Sequence, residues 1–202
     1  MLEINLFVNP LGQRCFQCER DLLRMDIQLD NTINFQFIPL MNMKTIDKAL
    51  HDCQKRTGHF ENQQKIATTT YSVILDYKAA LFQGRKRGRM FLLGLQKAMI
   101  EEHANYNLQL VKKFAQNAKL DLEMFMEDRK SPLAKQCFKK DQQLANQMGI
   151  TDTATAIVVN TSAPAYGTLV TDCTYESLID ACQEHCTKET LAKLQNRIKL
   201  YH

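Results

Sequence analysis

Leu2-Glu3-Ile4-Asn5-Leu6-Phe7-Val8-Asn9-Pro10-Leu11-Gly12-Gln13-Arg14-Cys15-Phe16-Gln17-Cys18 decides how the rest of this chain is read. Leu2, Ile4, Leu6 and Val8 alternate with Glu3, Asn5 and Phe7 at the two-residue period of a strand. Asn9-Pro10 breaks that ladder, and a helix is predicted from about Cys15 to Leu29. A strand, a short loop and Cys-x-x-Cys near a helix start form the pattern of a dithiol redox site. The positive end of a helix favours the nucleophilic thiolate over the thiol. Function therefore turns on which turn of the helix holds the cysteines.

Composition narrows the classes around that motif. The 202 residues suffice for a full core, with 45% apolar and 24% charged residues, ordinary values for a globular protein. Met1–Asn9 lacks the basic start and long apolar run of a secretory signal, and no segment approaches the length of a bilayer span. Seven scattered cysteines without an export signal are expected to be mostly reduced, which places the chain in the cytoplasm. A net charge of +4 is too mild to argue for nucleic acid or an anionic membrane.

Outward from the motif, three parts are predicted. Ile33-Asn34-Phe35-Gln36-Phe37-Ile38-Pro39 reads as a second strand, closing a parallel β-α-β unit with the first. Residues 45–149 carry helix signals and no convincing strand. Helices are expected at Gln64–Phe82, Arg89–Ala104, Asn105–Leu120 and Asp121–Arg129, then one capped by Ser131 with Pro132 in its first turn. Ala156–Asn160 and Tyr166–Val170 read as a hairpin around Thr161-Ser162-Ala163-Pro164. Tyr175–Cys186 is a helix capped by Thr174, and Lys188–Tyr201 continues helical. The expected fold is α/β: a thioredoxin-like domain over 1–44 and 150–202 (β-α-β, β-hairpin, α), with a large α-helical insertion over 45–149.

Three stretches carry a resemblance. Gln83-Gly84-Arg85-Lys86-Arg87-Gly88-Arg89-Met90-Phe91-Leu92-Leu93-Gly94-Leu95-Gln96 is similar to a run in the helical insertion of the DsbA family. Asp141 through Ile150, followed by Ala156-Ile157-Val158-Val159, resembles the helix, loop and strand that carry that family's cis-proline. Leu6-Phe7-Val8-Asn9-Pro10-Leu11, with Cys15-Phe16 and Glu19, is similar to the opening of its Spx adaptors, the SpxH or YjbH group of Firmicutes. The resemblance implies a cytosolic adaptor that binds the protein Spx and promotes its degradation by ClpXP.

The resemblance also exposes two departures. Counted from the opening strand, the family's first cysteine falls on Gly12 and its second on Cys15. The motif in register is then Gly12-Gln13-Arg14-Cys15, followed by the aromatic Phe16, and the attacking thiol is missing. The family's cis-proline falls on Thr155 within Thr153-Ala154-Thr155-Ala156, where a trans bond is expected because a cis bond before a non-proline residue costs roughly 2.5–4 kcal/mol. Gly12, Gln13, Arg14, Phe16, Ala154 and Thr155 thus become degraded active-site positions and a candidate docking groove for protein. The competing reading lengthens the loop and keeps Cys15 as attacking thiolate and Cys18 as resolving thiol of an oxidoreductase or isomerase. Glutathione-linked transfer would share the architecture, but the sequence locates no glutathione site.

Other clusters point less clearly to chemistry. Cys173, Cys182, His185 and Cys186 are of zinc-ligand type but lack ligand spacing, so no metal is expected. Arg85-Lys86-Arg87-Gly88-Arg89 reads as a solvated helix junction punctuated by Gly84 and Gly88. Met41, Met43, Met90, Met99, Met124, Met126 and Met148 read as adaptable core filling, although exposed methionines suit pliable partner surfaces. His51, His59 and His103 fall in separate segments without catalytic partners. No nucleotide or phosphate loop is present, and no cofactor is expected.

Overall fold

The computed structural model describes residues 2–28, 33–58, 61–161 and 167–185. His59, the turn residues Ser162, Ala163 and Pro164, Tyr166, Cys186 and the predicted helix Lys188–Tyr201 lie outside them. The chain divides into two compact units, one of Met1–Val8, Gln17–Ile38 and Asp152–His202, the other of Asn9–Phe16 and Pro39–Thr151.

The first unit is built on a mixed four-stranded sheet of β1 (Leu2–Val8), β2 (Ile33–Pro39), β3 (Thr155–Asn160) and β4 (Gly167–Val170), in the order β2-β1-β3-β4. β1 runs antiparallel to β3, pairing Leu2 with Asn160 and Phe7 with Thr155, and β3 runs antiparallel to β4. Alternation in β1 predicts one buried face, yet Phe7 is as fully buried as Ile4, Leu6 and Val8. The position explains it: β1 is flanked on both edges, and a central strand covered on both faces buries nearly every side chain. The Gln36 amide donates to Asn5 Oδ1 at 2.5 Å, giving the polar residue of this strand a cross-strand partner. Helix α1 (Gln13–Gln28) enters this unit at Gln17 and buries Cys18, Glu19, Leu22 and Met25. Helix α8 (Tyr175–His185) packs on β3 and β4, with Ser177 N–H donating to its capping Thr174 hydroxyl at 3.2 Å. Tyr175 donates to Gln28, and Arg24 stacks on the Tyr175 ring.

The second unit is helical: α2 (Met43–Thr57), α3 (Gln63–Phe82), α4 (Arg85–Ile100), α5 (Leu108–Asn117), α6 (Leu122–Asp128) and α7 (Pro132–Gln147). α3 is its axis. Val73 through Ala80 are all buried, and the helix contacts α2, α4, α6 and α7. Eight consecutive buried residues span more than two turns, so this part of α3 is enclosed on every side within its unit, its charged Asp76 and Lys78 paired with Arg129 and Asp141. Ser131 caps α7 through Ala134 N–H, and Pro132 fills the first turn, as its sequence predicts.

Three sequence expectations need correction here. α2 was not distinguished as a helix, yet Asn42 and Thr45 form a reciprocal cap at its start and Gly58, at φ 69°, ends it in the left-handed region. α4 begins at Arg85, so Gly88 is no junction residue. It is buried inside the helix, where an added Cβ would stand 2.7 Å from Leu81 Cδ2 and 3.2 Å from Leu81 Cα. The buried residues of α4 are Gly88, Phe91, Leu92, Leu95, Gln96, Ala98 and Ile100, while Met90 and Lys97 face outward. Finally, none of the seven methionines read as core filling is buried, and Met43, Met90, Met124 and Met148 are exposed. Their apolar helix neighbours already fill the interior.

Candidate functional site

Asn9 builds the loop between β1 and α1. Its carbonyl accepts from Gly12 N–H at 3.0 Å, closing a turn with Pro10 in the position that its fixed φ suits. Its side-chain oxygen accepts from Leu11 N–H at 2.9 Å, and its side-chain amide donates to the Thr45 carbonyl at 2.9 Å. Its own backbone N–H donates to Cys15 Sγ at 3.3 Å. A single buried asparagine thereby fixes loop, helix start and α2 together.

Gly12 is the residue at which the helix opens, since its carbonyl accepts the first helical bond from Phe16 N–H at 3.1 Å. Cys15 therefore sits inside the first turn, at 2% exposure, with its sulfur bonded to Asn9. Phe16 is buried beside it, whereas Gln13 and Arg14 are exposed. Cys18 lies a further turn along α1 and has no exposure at all. Neither cysteine is in a disulfide. Thiol–disulfide exchange requires a sulfur that a second sulfur can reach, and neither of these can be reached from solvent.

Gly12 bears directly on the register. A Cβ built on it would lie 3.6 Å from Cys15 Cβ and 3.1 Å from Cys15 Sγ. Disulfide-bonded cysteines hold their Cβ atoms about 3.5–4.5 Å apart. The backbone at residues 12 and 15 thus retains disulfide geometry while residue 12 lacks the sulfur to use it.

The helix end itself is already occupied. The Asp52 carboxylate on α2 accepts from Gln13 N–H at 3.3 Å, so one of the four orphan donors of the first turn has an anionic partner. Sequence reading missed Asp52 because it missed α2. The pattern Ile46, Ala49 and Cys53, with the Asn42 and Thr45 cap before it, is the signal that would have found it.

In the other unit, a cis bond stands where the sequence predicts only trans bonds, one residue before the position counted for the family's proline. Thr153–Ala154 is cis, so Ala154 and not Thr155 stands at the position after the bond, and the expectation of an all-trans segment is corrected. The error is one of counting, since the loop between α7 and β3 has no periodicity from which to fix a register. Thr153, Ala154 and Thr155 are all buried, and Thr155 pairs with Phe7 in the sheet.

The remaining candidates disperse. Cys173 and Cys182 are buried and not in a disulfide, and the buried His185 ring lies 2.9 Å from Thr168 Oγ1. His51 and His103 are exposed on different segments. Arg85, Lys86 and Arg87 are exposed in the first turn of α4.

A family model described as thioredoxin matches residues 5–181. Among characterised relatives, the ClpXP adapter protein SpxH of Bacillus subtilis is 27% identical over 177 residues, covering 79% of this chain and 59% of its own length. The ClpXP adapter protein SpxH of Staphylococcus aureus (strain MRSA252) is 28% identical over 150 residues, covering 74% and 51%. The chain thus spans little more than half the length of these relatives. The solved structure of the cytosolic disulfide reductase DsbM from Pseudomonas aeruginosa superposes with a TM-score of 0.60 at 13% identity, covering 98% of this chain and 99% of that one. A thioredoxin-like oxidoreductase from Silicibacter pomeroyi superposes with a TM-score of 0.60 at 15% identity, covering 91% and 85%. No helix among the described residues is long and apolar enough to cross a membrane. By sequence match the chain belongs to the thioredoxin family, with the SpxH adapters among its sequence relatives and DsbM among the structures that share its fold.

Proposed function

We propose that this chain is an adaptor-type protein that works by binding another protein, as SpxH does for ClpXP, and that it has no dithiol redox cycle at Cys15 and Cys18. One observation carries the reading: the helix opens on Gly12, at disulfide distance from a Cys15 that is buried and bonded to Asn9. A thioredoxin-type enzyme needs an exposed sulfur at that opening. In its place the first turn offers the exposed Gln13 and Arg14, with Asp52 paired to the helix end. Polar and charged side chains on a rigid helix start favour recognition over chemistry.

The proposed partner is an Spx-type protein, and through it ClpXP. Similarity to SpxH over most of this chain supports that choice, and the exposed methionines on the helical unit suit a pliable protein interface. Pull-down of purified Spx, followed by its degradation by ClpXP with and without this chain, tests the proposal. Binding with faster degradation is expected, together with no insulin reduction above the dithiothreitol background. Insulin reduction that disappears in Cys15→Ser, with no Spx binding, would overturn it.

A further inference from the structure

Within the helical unit, a cavity of about 400 Å³ opens between the end of α2, the start of α3, the end of α4 and the segment that follows α4. Arg56, in the last turn of α2, lines it. Its Nε and one terminal nitrogen are buried with no hydrogen-bond partner among the described residues. A guanidinium is always charged and presents its donors as a planar fork, so burying two of them unmatched is unfavourable unless something fills the space before them. The cavity has room for such an occupant.

The rest of the lining defines its chemistry. Leu11, Ile66 and Ile100 supply apolar wall. Lys65 also lines the cavity, but Glu61 holds it in an ion pair at 2.8 Å. Tyr106 contributes its ring, because its hydroxyl is committed to Asp76 at 2.7 Å. Arg56 is therefore the guanidinium here without a matching anion among the described lining residues, and one such cation matches a single negative charge on a planar carboxylate better than a doubly charged tetrahedral phosphate. We infer that this cavity binds a monocarboxylate carried on a short apolar body, with the Arg56 fork gripping the carboxylate and the aliphatic wall covering the body. Such a group is either the C-terminal residue of a polypeptide or a free small acid. The inference goes beyond the adaptor reading and does not depend on Spx.

Side-chain and backbone NMR of the full chain tests it, observing the Arg56 Nε–H signal. The probes are 4-methylpentanoate, acetyl-alanyl-leucine, the amide of each, and inorganic phosphate. Both acids are expected to shift Arg56 and its cavity neighbours saturably, and the amides to bind at least about tenfold more weakly, as loss of a charge-assisted hydrogen bond implies. Tighter binding of the peptide acid assigns the site to a polypeptide terminus, and tighter binding of 4-methylpentanoate to a free acid. Arg56→Gln should weaken the acids by a similar factor and leave the amides unchanged, with Arg56→Lys between. Amides that match the acids, phosphate that binds as well, or no saturable shift in the unsubstituted chain would overturn the inference whatever the variants do.

Discussion

Asn9 and Gly12 set the geometry of the helix opening. Cys15 now serves as an acceptor for the Asn9 N–H, a structural role for a sulfur. Cys15→Ala leaves that buried N–H unmatched and should destabilise the fold by about 1–2 kcal/mol, read as a lower urea midpoint. Accessibility gives an independent check. Short exposure of the native chain to an alkylating reagent should modify the half-buried Cys53 and Cys137 and spare Cys15 and Cys18, as peptide mapping would show. Rapid native modification of Cys15 would contradict its placement. The helix opening near Gly12 was legible in the sequence because the Asn9-Pro10-Leu11 turn marks where the strand ends. Ala154 was not, because nothing in the loop before β3 marks where to begin counting.

At the scale of elements, periodicity located α3 and α7 well but misjudged α4. Met90, Leu93, Lys97 and Ile100 form a helical rhythm that Phe91, Leu92 and Leu95 widen; of these Phe91, Leu92, Leu95 and Ile100 are buried with Gly88, Gln96 and Ala98, while Met90 and Lys97 are exposed. The reason is close packing: Gly88 lets α4 approach α3 at Leu81, and that contact sets which face turns inward. A lone glycine in a basic run carries no sequence mark of that role. Gly88→Ala would place a methyl within 3.2 Å of Leu81 Cα, so it should destabilise by about 1–3 kcal/mol in chemical denaturation despite the higher helix propensity of alanine. A neutral or stabilising result would show that α3 and α4 are not held at this distance. At the opening of α1, Asp52→Asn removes the anion from Gln13 N–H and should cost about 0.3–1 kcal/mol, shrinking as salt is added.

Taken as a whole, the molecule keeps a thioredoxin scaffold and spends its polar groups on structure. Asp76, on the buried axis helix α3, accepts from Arg129 Nε at 2.6 Å and from the Tyr106 hydroxyl at 2.7 Å, and Arg129 also donates to Tyr106 at 3.1 Å. Burial first, and the adjacent Asp76 charge second, push the Tyr106 phenol above its ordinary value of 10. The folded state therefore retains that proton where the unfolded chain releases it. Stability from this group is complete below pH 10 and is lost as pH rises through the folded-state value, so unfolding should become easier in alkali. Tyr106→Phe should flatten that alkaline slope while lowering stability at neutral pH, measured by urea denaturation at a series of pH values. The fold class was legible because strand, helix and cap signals agree along the chain. The Asp76 network was not, since its members stand far apart in sequence and charge alone does not reveal burial.

The consequence of the sulfur missing from residue 12 is tested most directly by equilibration in glutathione buffers of graded redox poise, followed by thiol trapping and mass spectrometry. The unsubstituted chain should hold Cys15 and Cys18 as thiols at every poise, whereas Gly12→Cys should form an intramolecular disulfide with Cys15. A reversible Cys15–Cys18 disulfide in the unsubstituted chain, with no bridge formed in Gly12→Cys, would contradict it.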